Sequence, residues 1–331
     1  MDNNIAKVAL DAIKGRKYAQ YSTAETSESL RNAMLELNGS STKIELRKFR
    51  EGHPLFDLVE VILPAIIDEA ITSDETLMSV CEYHNVADGD EPKFIAQGAN
   101  DLIVADAAAG IRGIRRQRMP EGQAVTIKAN PLAIRVYEGL NRILSGRIDW
   151  NEFVDMVGKA YAKEVALRAY KCLDGITAST AGLSADYVKS GSFAAENLDS
   201  LIDHVEAASG QSAKIIGTRG ALKKISDAVV SNEAKSDIYN FGFYGKYSGV
   251  PMIRIKQSHK PGTDAFALSN TKVFVIAGDD KPIKIVNEGN GILDTREATS
   301  NEDLTREYVY IQPTGVGLVL GSKIGVYDIN A

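Results

Sequence analysis

The apolar positions of this chain change their spacing along its length, and the changes mark out its parts. Ile5, Val8, Ala9, Ala12 and Ile13 share one stripe, which predicts a short amphipathic helix over Ile5–Ile13. Helices are also expected over Glu28–Leu37, stopped by Asn38-Gly39, and over Phe56–Ile71, with SSTKIELRKF extended between them. Three helical pieces joined by polar segments describe an arm rather than a compact domain. From Val80 to about Lys128 the punctuation VADGDEP precedes FIAQGANDLIVADAAAGIRGIRRQRMPEG. Val125, Ile127 and Ala129 then alternate with Thr126 and Lys128, as in a strand with one buried face. A compact monomer rarely keeps so long an excursion unless it binds something.

Asp149–Asp174 is the clearest element. Asp149 is a good N-cap with Glu152 three residues on, and Trp150, Phe153, Val154, Val157, Tyr161, Val165, Ala169 and Cys172 recur at helical spacing. Asp155/Lys159 and Glu164/Arg168 are favourable i, i+4 pairs, and Gly175 supplies the stop. A helix of this length spans about 36 Å, a strut rather than a local element. An α/β unit follows: a helix over Phe193–Ala208, a buried strand over Lys214–Thr218, a helix capped by Thr218, and a strand over Val250–Lys256. The rest reads as strands: Lys272–Ala277, Pro282–Val286, Arg306–Gln312, Gly317–Leu320 and Ile324–Ile329.

Composition narrows the class. The length of 331 residues fits about two domains, and 44% hydrophobic with 25% charged residues is ordinary for a globular chain. No stretch approaches the roughly 18 continuous apolar residues of a membrane span, because Val59–Ile71 is broken by Glu60, Pro64, Asp68 and Glu69. The start MDNNIAKVALDAIKGRK lacks the organisation of a secretory signal, and from Met1 no removed pro-segment is expected. Cys81 and Cys172 make no disulfide framework and fit a reducing compartment. The net charge of −6 argues against a role in coating nucleic acid, yet leaves its containment open.

Catalytic constellations are missing from the pattern. His53, His84, His204 and His259 are scattered, and no H-E-x-x-H, zinc-ligand spacing or G-x-S-x-G elbow occurs. GVGLVLGSK at Gly315–Lys323 lacks the ending of a phosphate loop and reads as a turn between strands. GTRGAL at Gly217–Leu222 stands between strand and helix, where backbone amides can meet an anion or simply cap the helix. One charge cluster stands out: Arg112, Arg115, Arg116 and Arg118, four arginines in seven residues of an acidic chain. They could meet phosphate or lie solvated. Carboxylates of a partner subunit come first, because no aromatic is interleaved for base stacking. Asp279, Asp280, Glu288 and Asp294 are the acidic candidates for these inter-subunit contacts.

The order of parts resembles the major capsid protein fold of tailed bacteriophages, the Johnson fold. VTIKANPLAIRVYEGLNRILSGRIDWNEFVDMVGKAYAKEVALRAYKCLDGI looks like that family's returning loop strand and spine helix. KIIGTRGALKKISDA with YGKYSGVPMIRI is similar to its axial domain, and ALSNTKVFVIAGDDKPIKIV with YVYIQPTGVGLVLGSKIGVYDI to its peripheral strands. The resemblance implies an α+β fold. Residues 1–50 would be an N-terminal arm, 51–80 a peripheral segment, 81–133 an extended β-hairpin loop and 134–178 the peripheral domain with the spine helix. Residues 179–265 would form the axial domain and 266–331 the remaining peripheral strands. It implies a structural protein, not an enzyme, without cofactor, metal or membrane. Copies would form pentamers and hexamers of an icosahedral shell around double-stranded DNA, made in the bacterial cytoplasm and ending in the virion. Portal, scaffolding and decoration proteins are the further partners implied. An encapsulin-type nanocompartment shares the fold and is the alternative; a soluble α/β enzyme using the Lys214–Val230 unit is a distant one.

Overall fold

The computed structural model describes residues 67–96, 116, 122–138, 150–176, 183–228, 245–260, 262–289, 291–296 and 306–329. The predicted arm and the predicted helices over Ile5–Ile13 and Glu28–Leu37 lie outside them. The expected helix ending at Ile71 is present where described, at residues 67–72. In chain order there follow α1 (Glu75–Met78), β1 (Cys81–Val86), β2 (Lys93–Ala96), β3 (Gln123–Thr126), β4 (Asn130–Glu138) and α2 (Trp150–Asp174). Next come β5 (Val188–Gly191), α3 (Ala195–Ser209), β6 (Ala213–Thr218), α4 (Arg219–Ala228), β7 (Lys246–Tyr247) and β8 (Val250–Ile255). The chain closes with β9 (Lys272–Ala277), β10 (Ile283–Glu288), β11 (Ile292–Arg296), β12 (Arg306–Leu318) and β13 (Gly325–Ile329).

The described strands form three sheets. A five-stranded sheet runs β1-β10-β12-β11 with β4 on the other side of β12; a six-stranded sheet runs β5-β13-β9-β6-β8-β7; β2 and β3 make a two-stranded ribbon. β10 and β11 lie along one edge of β12, pairing with residues 314–318 and 307–311. The chain breaks between them at Gly289, whose φ of +64° suits a residue without a Cβ.

Pairing divides the chain differently from the boundaries drawn on sequence. β1 starts at residue 81 yet pairs in parallel with β10, so the excursion leaves the sheet only after Val86. β9 and β13 flank one another beside β6, so two strands from the segment 266–331 belong to the six-stranded sheet. The gap expected between Gln312 and Gly317 is absent, because β12 runs unbroken for 13 residues. Pro313 stands directly opposite Pro131 of β4. Beyond Pro131 lies the sheet edge, and beyond Pro313 the break between β10 and β11, so neither missing N–H need break the ladder.

Helix α2 is the strut the sequence called for, 25 residues long, with the Asp155–Lys159 pair at 2.6 Å and the Glu164–Arg168 pair at 3.0 Å. The Gly175 amide closes its last turn by donating to the Lys171 carbonyl. Val157, Tyr161, Val165 and Ala169 are buried as the stripe predicts, and Leu167, Tyr170 and Leu173 widen the buried face. The wider face arises because α2 packs into one cluster that takes residues from both large sheets, including Ile283, Ile285 and Tyr310 from one and Ile216, Phe274 and Ile276 from the other. A second cluster, with Leu198, Leu201, Val205, Leu222 and Ile225, seats α3 and α4 on the opposite face of the six-stranded sheet.

Candidate assembly surfaces

Three features of the five-stranded sheet bear on function: the exposed part of its outer face, the foot of the ribbon, and the polar seams that tie it to its surroundings. On the outer face, Ile292 of β11, Ile311 of β12 and Ala133 of β4 stand in one row, and Asp294, Val309 and Arg135 in the next. Tyr137 is 68% exposed and Ile292 65% exposed, large values for apolar side chains on a sheet. Arg135 pairs with Glu307 across β4 and β12. The inner face of the same strands buries Leu132, Ile134, Val136 and Tyr310 toward α2.

The ribbon is seated on this outer face. Gly315 and Gly317 both point outward, since they pair with Val286 and Lys284. A Cβ on Gly317 would stand 2.8 Å from the Ile127 side chain, and one on Gly315 2.8 Å from the Lys128 carbonyl oxygen. The G-V-G string is thus a strand with a slot into which Ile127 fits, not a turn. Beside it, Phe94 of β2 meets two groups of the sheet face. His84 meets its ring edgewise, with centroids 5.2 Å apart and planes at 69°, and Lys284 Nζ lies 5.8 Å from the ring centroid. Glu82 holds both side chains in position: its Oε1 is 2.8 Å from His84 Nε2 and its Oε2 accepts from Lys284 Nζ. The Lys284 and His84 contacts keep the Glu82 carboxyl below its ordinary range against the opposing effect of burial.

Two polar seams run underneath. Tyr83 donates to Asp68 Oδ1 at 2.5 Å and accepts from Asn287 Nδ2 at 2.8 Å, which ties the 67–72 helix to β1 and β10. Burial, with Asp68 adding to it, pushes the Tyr83 phenol far up. Tyr161 of α2 meets Thr314 Oγ1 at 2.7 Å, and Tyr310 donates to Gln312 Oε1 at 2.6 Å. At the junction of the two large sheets, Lys214 is only 5% exposed and donates to three carbonyls: Ser79 at 2.7 Å, Gly278 at 2.9 Å and Asp280 at 3.2 Å. Burial lowers the Lys214 pKa, opposed by Asp280.

The residues singled out from sequence are spread widely. Arg112, Arg115 and Arg118 lie outside the described residues; Arg116 is exposed. Asp279 is exposed in the turn before β10, while Asp280 accepts from the Ser322 hydroxyl at 2.6 Å and its amide at 3.2 Å. Glu288, at the far end of β10, accepts from the Gly89 amide at 2.7 Å. Asp294 is exposed on the outer face. The four carboxylates therefore form no single patch. In GTRGAL, the Thr218 hydroxyl accepts from the Ala221 amide at 3.4 Å and donates to the Ser269 carbonyl at 3.1 Å, as a helix cap does. Cys81 is buried, and burial reinforced by Cys172 pushes its thiol up to about 12. Among the described residues no three His, Cys, Asp or Glu side chains gather as a metal site requires, and no helix is long and apolar enough to cross a membrane.

Sequence reasoning passed over Phe94, Lys284, Ile127 and the paired glycines. The signal was available in part: two glycines one residue apart in a strand share a face, and glycine inside a strand marks a close approach by other atoms.

Comparison with known proteins places this architecture. No curated protein sequence matches the chain. Among solved structures it is similar to the satellite phage P4 procapsid that includes the size determination (Sid) protein, with 12% identity over 80% of this chain and 89% of that one, at a TM-score of 0.50. The capsid of an empty GTA particle gives 14% identity over 77% and 90% of the two chains, also at 0.50. A virus-like particle from Pyrococcus furiosus gives 13% identity over 80% and 97%, at 0.45. The family model described as "SPbeta prophage-derived putative capsid protein YonB" matches residues 3–328. The chain belongs to that family of phage capsid proteins, and its α+β architecture is the phage capsid fold.

Proposed function

We propose that this capsid protein is the major shell subunit of a tailed phage, assembling into pentamers and hexamers of an icosahedral shell around double-stranded DNA. Its role is structural rather than enzymatic, and its place is the virion. The observation that carries the reading is the exposure of Tyr137 and Ile292 on the outer face of the five-stranded sheet, beside a ribbon mounted on it: an apolar, mixed-charge surface suited to a neighbour. In this reading the five-stranded sheet with α2 is the peripheral domain and the six-stranded sheet with α3 and α4 the axial domain. The chain between β2 and β3 is the extended loop that crosses a neighbour's outer face.

Arg112, Arg115, Arg116 and Arg118 in that loop then meet carboxylates of the next copy. Asp279, exposed in the turn before β10, is a better acceptor than Asp280 and Glu288, which already accept bonds within their own chain. Portal, scaffolding and decoration proteins complete the partner set. Expression of the full chain followed by electron microscopy tests the assembly, and nuclease-protected DNA in particles from phage-producing cells tests the content. Closed shells are expected. Monodisperse monomers at every concentration overturn the reading, and small shells filled with protein favour the nanocompartment. Reversing Arg115 and Arg116 to Glu is expected to leave the subunit folded and to impair assembly.

A further inference from the structure

The foot of the ribbon is fixed to its own subunit at two separate points. Ile127 occupies the slot above Gly315 and Gly317, and Phe94 meets both His84 and Lys284. A single contact leaves a pivot, whereas two contacts on different strands of the ribbon fix a direction. Phe94 belongs to β2 and Ile127 continues β3, and the two strands are locked in register from Lys93 opposite Thr126 to Ala96 opposite Gln123. The choice of groups at the second point is also informative. A purely space-filling site would surround a phenyl ring with aliphatic carbon. Here the Lys284 ammonium and the His84 ring approach it, and both are held by Glu82. Cation–aromatic and edge contacts depend on direction, so they resist rotation of the ring as well as its removal.

We propose that Phe94 and Ile127 are positioning residues whose two-point mount sets the angle at which the extended loop leaves its subunit, and so the geometry of the shell it reaches across. The proposal rests on the shell-forming reading, but the mount itself can be read in unassembled subunits. Phe94→Leu keeps an apolar side chain and removes the aromatic face; Phe94→Tyr keeps the face. Gly317→Ala fills the slot; adding Ile127→Ala to it removes the colliding methyl and methylene groups. Lys284→Met keeps the stem and removes the charge.

Amide hydrogen exchange of residues 93–96 and 123–127 in the full-length unassembled protein is measured first. Phe94→Leu, Lys284→Met and Gly317→Ala are each expected to lower protection there by about tenfold. Exchange in β6 and β9 should stay unchanged, and Phe94→Tyr and the Gly317→Ala/Ile127→Ala pair should recover part of the loss. Particle diameters by electron microscopy come second. The same three variants are expected to form capsomers but to give shells of altered or scattered diameter. Unchanged ribbon protection in all three overturns the mount. Lost protection with wild-type diameters overturns its role in geometry. Loss not recovered by Phe94→Tyr shows the ring face to be irrelevant and overturns the clamp. If the wild-type protein forms no shells, the shell-forming reading fails, and the mount stands or falls on exchange alone.

Discussion

The two large sheets use the same kinds of residue for opposite ends. In the six-stranded sheet the central strand β6 is buried at all six positions, with α3 and α4 on one side and the α2 cluster on the other. In the five-stranded sheet one face is closed by α2, while the other exposes Tyr137 and Ile292 and carries the foot of the ribbon. A strand covered on both faces is finished within its own subunit; one covered on a single face leaves apolar area to be buried later. Under the proposed assembly, the first sheet serves folding on both faces, while the second serves folding on its inner face and association on its outer one. Mutations should therefore separate stability from assembly according to whether they strike a covered face or the outer face of the five-stranded sheet.

The largest separation is expected in the finished sheet. Ile216→Ala removes fully buried carbon from the centre of β6 and should cost about 2–5 kcal/mol, read as a lower midpoint in chemical denaturation of the unassembled subunit. Next comes the junction between the sheets. Lys214→Met keeps the stem but leaves the Ser79, Gly278 and Asp280 carbonyls without their donor, a loss of about 1–3 kcal/mol. Because burial lowers the Lys214 pKa, the unfolded chain binds more protons in the window between the folded value and the ordinary lysine range. Stability of the wild type should rise with pH across that window, and Lys214→Met should lack the rise.

This contrast also explains what could be read from residues alone. KIIGT and KVFVIA were legible as strands because burial on both faces makes their apolar runs continuous. The long helix was legible from its stripe, its end and its two i, i+4 pairs. Membership of β9 and β13 in the six-stranded sheet was not, since it depends on partners far away in sequence. The continuity of β12 was hidden by Pro313 and by glycines that serve the Ile127 slot rather than a turn. Phe94 gave no pattern, because its clamp is assembled from β1 and β10. Of the acidic candidates, the chain order could not reveal that Asp280 and Glu288 are taken by Ser322 and Gly89.

The unfinished sheet should behave in the reverse way. Ile292 on its outer face is 65% exposed, so Ile292→Asp removes little buried area and unfolding should move by only about 0.5 kcal/mol. Assembly should nevertheless fail, because the charge would have to be desolvated against the neighbour. A large loss of subunit stability with normal shells would invert the comparison between the sheets.

The smallest effect should be the most local. Glu82 is held below the ordinary carboxylate range by Lys284 and His84, so its contribution to the ribbon's seat is present above that range and lost as pH falls through the lowered folded-state value. Glu82 is well exposed to solvent, so screening limits the contribution to about 1 kcal/mol or less, and added salt should reduce it further. Hydrogen exchange at residues 93–96, corrected for the intrinsic pH dependence of exchange, should thus match between pH 7 and the upper carboxylate range, then fall only below it. Glu82→Gln should show the reduced protection at every pH and no acid step. Ile215 and Ile216 of β6, fully buried, should show none in either protein; an acid step of equal size there would assign the effect to global unfolding rather than to the mount of the ribbon.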